Sequence, residues 1–138
     1  MARKTAKVIL DTNIIISAVG FGGKPREIIQ LVLDKKIRAV TSPILMAELD
    51  DVVAKRFPKL TIDFTLLKKT MGRKLKLVNP SISLQIVKDD DDNRVLEAAV
   101  EGECQYIVTG DKQLLELSSF QGIKILTADQ FLREVKED

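Results

Sequence analysis

Short apolar runs alternate along the chain with stretches whose apolar residues recur at helical spacing. Lys7 to Asp11, Arg38 to Thr41, Leu75 to Asn79, Tyr106 to Thr109 and Lys124 to Thr127 have the length and composition of strands. Val8-Ile9-Leu10 and Tyr106-Ile107-Val108 are apolar at successive positions, which predicts strands buried on both faces. Between the runs, Ile28 pairs with Val32 and Ile29 with Leu33; then come Leu45, Leu49, Val52 and Val53; then Val95 with Ala99 and Leu96 with Val100. These spacings predict helices. Ser42-Pro43 suits the start of the second one, serine as cap and proline in the first turn. The last of them is expected over Arg94 to Glu101, preceded by the acidic run Asp89-Asp90-Asp91-Asp92 and Asn93. Gly20, Gly22, Gly23 and Pro25 predict a loop near the front. Strands alternating with helices imply a parallel sheet covered on both faces.

In such a sheet, ligands gather outside the carboxyl ends of the strands. Asp11 closes the first strand, and Asp111 follows the fourth through Thr109-Gly110, so both are expected at one edge. Gly110 would let the backbone approach closely there. The composition sharpens the reading. The 138 residues suit one domain, 1–138. No run of about 18 apolar residues suggests a membrane span, the basic N-terminus lacks a signal-peptide core, and a cytoplasmic address is expected. Cys104 is the single cysteine and reads as a packing residue; no internal disulfide can form. Histidine is absent, which removes Ser-His-Asp hydrolysis, histidine-based general base catalysis and most zinc sites. Hydrolytic chemistry must then rest on carboxylates, lysines, hydroxyls or an oxygen-ligated metal.

Each acid has a plain alternative. Asp11 before Thr12-Asn13 could cap a helix. Glu48, within Leu45-Met46-Ala47-Glu48-Leu49, could be a solvated surface residue. Asp50 and Asp51 would project to other faces, at about 100° per residue. Asp89 and Asp90 read as solvated loop charges, although four adjacent anions repel one another and a cation would relieve that. Asp111 could cap the helix after it. Asp129, in a second strand-Thr-x-Asp pattern, reads as a cap and serves as an internal control.

Taken together, these pieces resemble the PIN-domain family, including the toxin-like ribonucleases of bacterial and archaeal toxin-antitoxin pairs (VapC-type). The matching segments are Val-Ile-Leu-Asp-Thr-Asn-Ile-Ile-Ile-Ser-Ala, Ser-Pro-Ile-Leu-Met-Ala-Glu-Leu, Asp-Asp-Asp-Asn-Arg-Val-Leu-Glu-Ala-Ala and Tyr-Ile-Val-Thr-Gly-Asp-Lys-Gln-Leu-Leu. The resemblance implies a three-layer α/β/α sandwich with a central, mostly parallel sheet, Mg2+ or Mn2+ as cofactor, RNA as substrate, an antitoxin protein as partner and a homodimer. Carried over by position, Asp11, Glu48 and Asp111 match the family's acids, and Asn13 and Thr109 match polar residues beside them. The family's separation places the third acid at Asn93, whereas the nearest carboxylate is Asp92. Either an amide replaces a ligand, or Asp92 supplies it.

Net charge is only +2, but the segment from Lys55 to Lys76 is strongly basic. Lys68, Lys69, Arg73 and Lys74 within it are expected to contact RNA phosphates, against the plainer reading of a solubilising helix face. Aromatic residues make up 4% of the chain, so extended base stacking is not expected. The competing function class is a PIN-like module that binds RNA or protein without cutting.

Overall fold

Val8, Ile9 and Leu10 alternate between two buried faces, and that alternation organises the molecule. The computed structural model describes residues 5–137. Strand β1 (Ala6–Leu10) lies between β2 (Ile37–Thr41) and β4 (Tyr106–Val108), parallel to both. The full order is β3 (Leu75–Leu77), β2, β1, β4, β6 (Ile123–Leu126), β5 (Ser119–Phe120), and β5 alone runs antiparallel. Val8, Leu10, Ala39 and Val108 face one apolar cluster, shared with α1 (Thr12–Gly20), α2 (Gly23–Leu33), α4 (Thr61–Met71) and α7 (Ala128–Glu137). Ile9, Val40, Ile107 and Ile125 face the other, built with α5 (Asp90–Glu101) and α6 (Lys112–Leu117). The result is the expected three-layer α/β/α arrangement. Val8 and Ile9 are fully buried, and each such side chain contributes about 1.5–3 kcal/mol relative to exposure.

Helix α3 (Pro43–Arg56) spans the two cores, with Leu45 in the second and Leu49 and Val53 in the first. Its start is the expected one: Ser42 Oγ accepts from the Leu45 N–H at 3.3 Å, and Pro43 opens the first turn. Among the described residues no helix is long and apolar enough to cross a membrane.

Several local expectations are corrected. The glycine-rich loop shrinks to Phe21–Gly22, because α2 begins at Gly23 and takes in Pro25 within its first turn, where a missing N–H does no harm. Gly22 adopts φ 75°, ψ −131°, a conformation closed to residues with a Cβ. The acidic run does not precede its helix: Asp89 is the cap and Asp90, Asp91 and Asp92 form the first turn of α5, where they complement the helix dipole. Asp129 is not a cap. Thr127 Oγ1 accepts from the Gln130 N–H while the Gln130 side chain accepts from the Thr127 N–H, a capping box, and Asp129 instead pairs with Lys24 and Arg133. Strand β5 escaped the periodicity reading because it has two residues; a turn with positive φ at Gln121 and Gly122 folds it against β6.

Candidate active site

All the strands that carry acids end at the same edge. Asp11 follows β1, Asp111 follows β4, Glu48 lies in the second turn of α3, and the start of α5 brings Asp89, Asp91 and Asp92 to meet them. They line a cleft of about 320 Å3, with Thr12, Asn13, Lys55 and Arg56 also on its walls. Asp51 lines it too, one turn after Glu48, while Asp50 points away to Lys68.

Asp11 occupies the N-cap position of α1, yet its side chain makes no capping bond. Its Oδ2 accepts instead from the Thr109 hydroxyl at 2.8 Å, and that hydroxyl oxygen accepts from the Asp111 N–H at 3.0 Å. Thr109, fully buried, thus ties the ends of β1 and β4 together. Asp111 does cap its helix: Oδ1 accepts from the N–H groups of Gln113 at 2.8 Å and Leu114 at 3.4 Å. Asp89 likewise caps α5 through Asp91. Asp89 is exposed, as expected of it, and a carboxylate oxygen from each of Asp89, Asp92 and Asp111 lies within 4.8 Å of the others. Gly110 does not mark a close approach, because a Cβ built there meets nothing within 4 Å.

Asp92 and Asn93 are both buried but face different surroundings. The Asn93 side chain accepts from the N–H groups of Ile86 and Val87 and donates to the Val87 carbonyl. One turn on, Glu97 accepts from the Leu84 N–H, and Glu101 accepts from that of Ser81. Residues at four-residue spacing on α5 therefore form a ladder that satisfies the backbone of the irregular segment 81–87, which has no strand partner. Asn93 belongs to that ladder. Asp92 faces the acids, and its Oδ2 is buried without a hydrogen-bond partner.

Burial raises the pKa of Asp11, opposed by the Thr109 hydrogen bond. Burial, then the charges of Asp91 and Asp11, push Glu48 up to about 7. Asp92 is pushed up to about 8 by burial, by a hydrogen bond with Asp111 and by the Asp111 charge. Anions crowded in a half-enclosed cleft, one with an unsatisfied buried oxygen, fit a hard divalent cation: oxygen ligands suit Mg2+ and Mn2+. The sign of the pH effect follows. Unfolded carboxylates titrate near pH 4, so between about 4 and the folded values of about 7 and 8 the metal-free folded state binds more protons than the unfolded one. The melting temperature of the metal-free protein should therefore fall as pH rises from 4 to 8, and Mn2+ should counter the fall because its binding requires deprotonated ligands. A flat or rising profile in chelator would contradict these environments.

The basic residues separate. Lys68 pairs with Asp50 at 2.9 Å, and both Lys68 and Lys69 line a groove between α3 and α4, on a different face of α3 from Glu48. Arg73 and Lys74 precede β3 and lie at the amino-terminal edge of the sheet, away from the acids; Lys74 Nζ also donates to the Leu33 carbonyl. The cations beside the cleft are Lys55 and Arg56. Sequence reading placed them in the basic segment without separating them from the rest, although their spacing of seven and eight from Glu48 on one helix puts them on its face. Cys104 is buried in the core, its thiol pushed up to about 12 by that burial.

Comparison with known proteins agrees with this architecture. The chain is 29% identical to the uncharacterized protein MJ1680 of Methanocaldococcus jannaschii, over 99% of this chain and 96% of that one. Its fold is similar to a chain in the crystal structure of VapBC2 from Rickettsia felis bound to a DNA fragment from their promoter. The TM-score is 0.60 and the identity 17%, covering 86% of this chain and 96% of that chain. The sequence profile of the PIN domain matches residues 7–113, from the start of β1 to the first turn of α6, and with that match across most of its length the chain belongs to the PIN-domain family.

Proposed function

We propose that residues 1–138 form one nuclease domain that hydrolyses RNA phosphodiester bonds with a divalent metal. The observation that carries this reading is the buried, unpartnered Oδ2 of Asp92, set among the carboxylates of Asp89 and Asp111. Asp11, Glu48, Asp92 and Asp111 would hold the ion, with Asp89 beside them. A bound Mg2+ or Mn2+ supplies an acidified water and neutralises charge on the scissile phosphate. The chain's own groups prepare that site. Thr109 orients Asp11 by donating to Oδ2, and the Thr12 side chain bonds Glu48. Lys55 and Arg56, on the cleft wall, offer phosphate contacts where the acids alone would repel RNA, and Asn13 stands exposed at its mouth.

Incubating the protein with mixed RNA in Mn2+ and in chelator tests the reading. Cleavage confined to the Mn2+ arm supports it; binding without cleavage in either arm returns the chain to a non-cutting module. The likeness to the VapBC2 fold supports a biological setting beside an antitoxin protein, and on this reading the chain is the toxin of the pair, a cytoplasmic homodimer. A small DNA-binding protein in the neighbouring reading frame is the result expected on that view.

A further inference from the structure

Several cations are matched by acids: Lys24 and Arg133 by Asp129, Lys55 by Asp51, Lys68 by Asp50. At the amino-terminal edge of the sheet a cluster of them is not. Lys7, Lys35, Arg38, Arg73 and Lys74 gather there, and none forms an ion pair among the described residues. Two shallow clefts of about 350 Å3 each meet at Thr5 and Arg38. One takes in Lys7, Gln105 and Glu103, the one acid that lines either cleft; the other takes in Lys35, Arg73 and Lys74.

Lys7 and Arg38 are register partners on adjacent strands, and Lys74 immediately precedes the Leu75 that pairs with Ala39. Positive residues therefore occupy adjacent positions on β1 and β2 and at the entry to β3. Like charges opposite one another on neighbouring strands are destabilising, and an anion lying along these positions relieves them.

We propose that this edge is a second RNA-binding surface, which takes the sugar-phosphate backbone of a long or folded substrate on the side of the sheet opposite the carboxylate cleft. The cations spread over two clefts, which suits a repeating anion better than a single small one. None of the exposed large hydrophobic residues lines either cleft, so a lipid surface would find nothing to bury. No aromatic residue lines them either, so recognition is of backbone charge and not of base identity. A five-residue strand spans about 17 Å, so a short single strand lying in the acidic cleft does not also reach this edge, whereas a folded RNA does. The proposal rests on RNA being the substrate, but not on cleavage.

The test is anisotropy binding of a labelled RNA hairpin in chelator, comparing wild type with Lys35→Gln/Arg38→Gln/Arg73→Gln across salt concentrations. The variant is expected to bind about 10- to 100-fold more weakly at low salt, with the slope of log K against log salt reduced by about 2, at roughly 0.7–0.9 for each phosphate that is no longer neutralised. Its melting temperature should equal or exceed that of wild type. Should the triple variant lose cooperative melting, Arg38→Gln and Arg73→Gln singly, each expected to lower the slope by about 0.7–0.9, decide the matter. Asp11→Asn removes a charge that repels RNA and should bind at least as tightly as wild type in chelator, so loss of cleavage and loss of this surface are read separately. An unchanged salt slope overturns the proposal, as does tighter binding of phosphatidylserine vesicles or polyglutamate than of the hairpin.

Discussion

Replacing Asp11 by Asn is expected to abolish Mn2+-dependent RNA cleavage while leaving the fold intact. The substitution preserves shape and can still accept the Thr109 hydroxyl, which donates to Oδ2 at 2.8 Å in the wild type, but it removes one negative charge from the site. Asp11 is 7% exposed, and exchanging a buried carboxylate that repels its neighbours for a neutral amide should leave the metal-free protein at least as stable. Outer partners of metal ligands typically contribute about 10- to 100-fold in affinity or activity, so loss of a ligand itself should exceed about 100-fold. Cleavage rates with and without Mn2+, read beside a melting curve, check both halves. Near-normal Mn2+-dependent cleavage by the variant would remove Asp11 from the site.

The second large effect is thermal. A ligand that binds only the folded state stabilises it by about 2.7 kcal/mol at a hundredfold excess over Kd, which for a chain of this length raises the melting temperature by roughly 8–13 °C. Mn2+ should produce a shift of that order in the wild type and a much smaller one in Asp11→Asn and Asp111→Asn. The neighbours Asp92 and Asn93 should part company. Asp92→Asn should lose most of the Mn2+ shift, because it neutralises the carboxylate whose Oδ2 has no partner. Asn93→Ala should keep the shift but start from a lower melting temperature, since it deprives Ile86, Val87 and the Val87 carbonyl of hydrogen bonds. Asp129→Asn should leave the shift unchanged, because Asp129 is exposed and tied to Lys24 and Arg133. A full Mn2+ shift in Asp92→Asn would move the ligand elsewhere. No shift in the wild type at millimolar Mn2+ would favour the non-cutting module.

Periodicity sufficed for the layers and the parallel sheet, because a strand buried on both faces must be apolar at successive positions and a helix covering it apolar at every third or fourth. Val8-Ile9-Leu10 and Tyr106-Ile107-Val108 carry that signal without help from the rest of the chain. The strand ends then brought Asp11 and Asp111 to one edge, as the rule for parallel sheets requires. What the linear pattern could not separate were residues whose identity suits two roles. Asp11 and Asp129 both follow a strand and both look like caps. Only the packing shows that Asp11 bonds to Thr109, 98 positions away, while Asp129 bonds to Lys24, 105 positions away. The basic segment also split by tertiary position, its Lys55 and Arg56 joining the acidic cleft and its Arg73 and Lys74 the opposite edge. Hydrophobic burial is written locally, in the spacing of apolar side chains. The partner of a buried or charged group is set by which distant strand or helix the fold brings alongside it, and adjacent positions such as Asp92 and Asn93 are separated only by the turn of the helix that carries them.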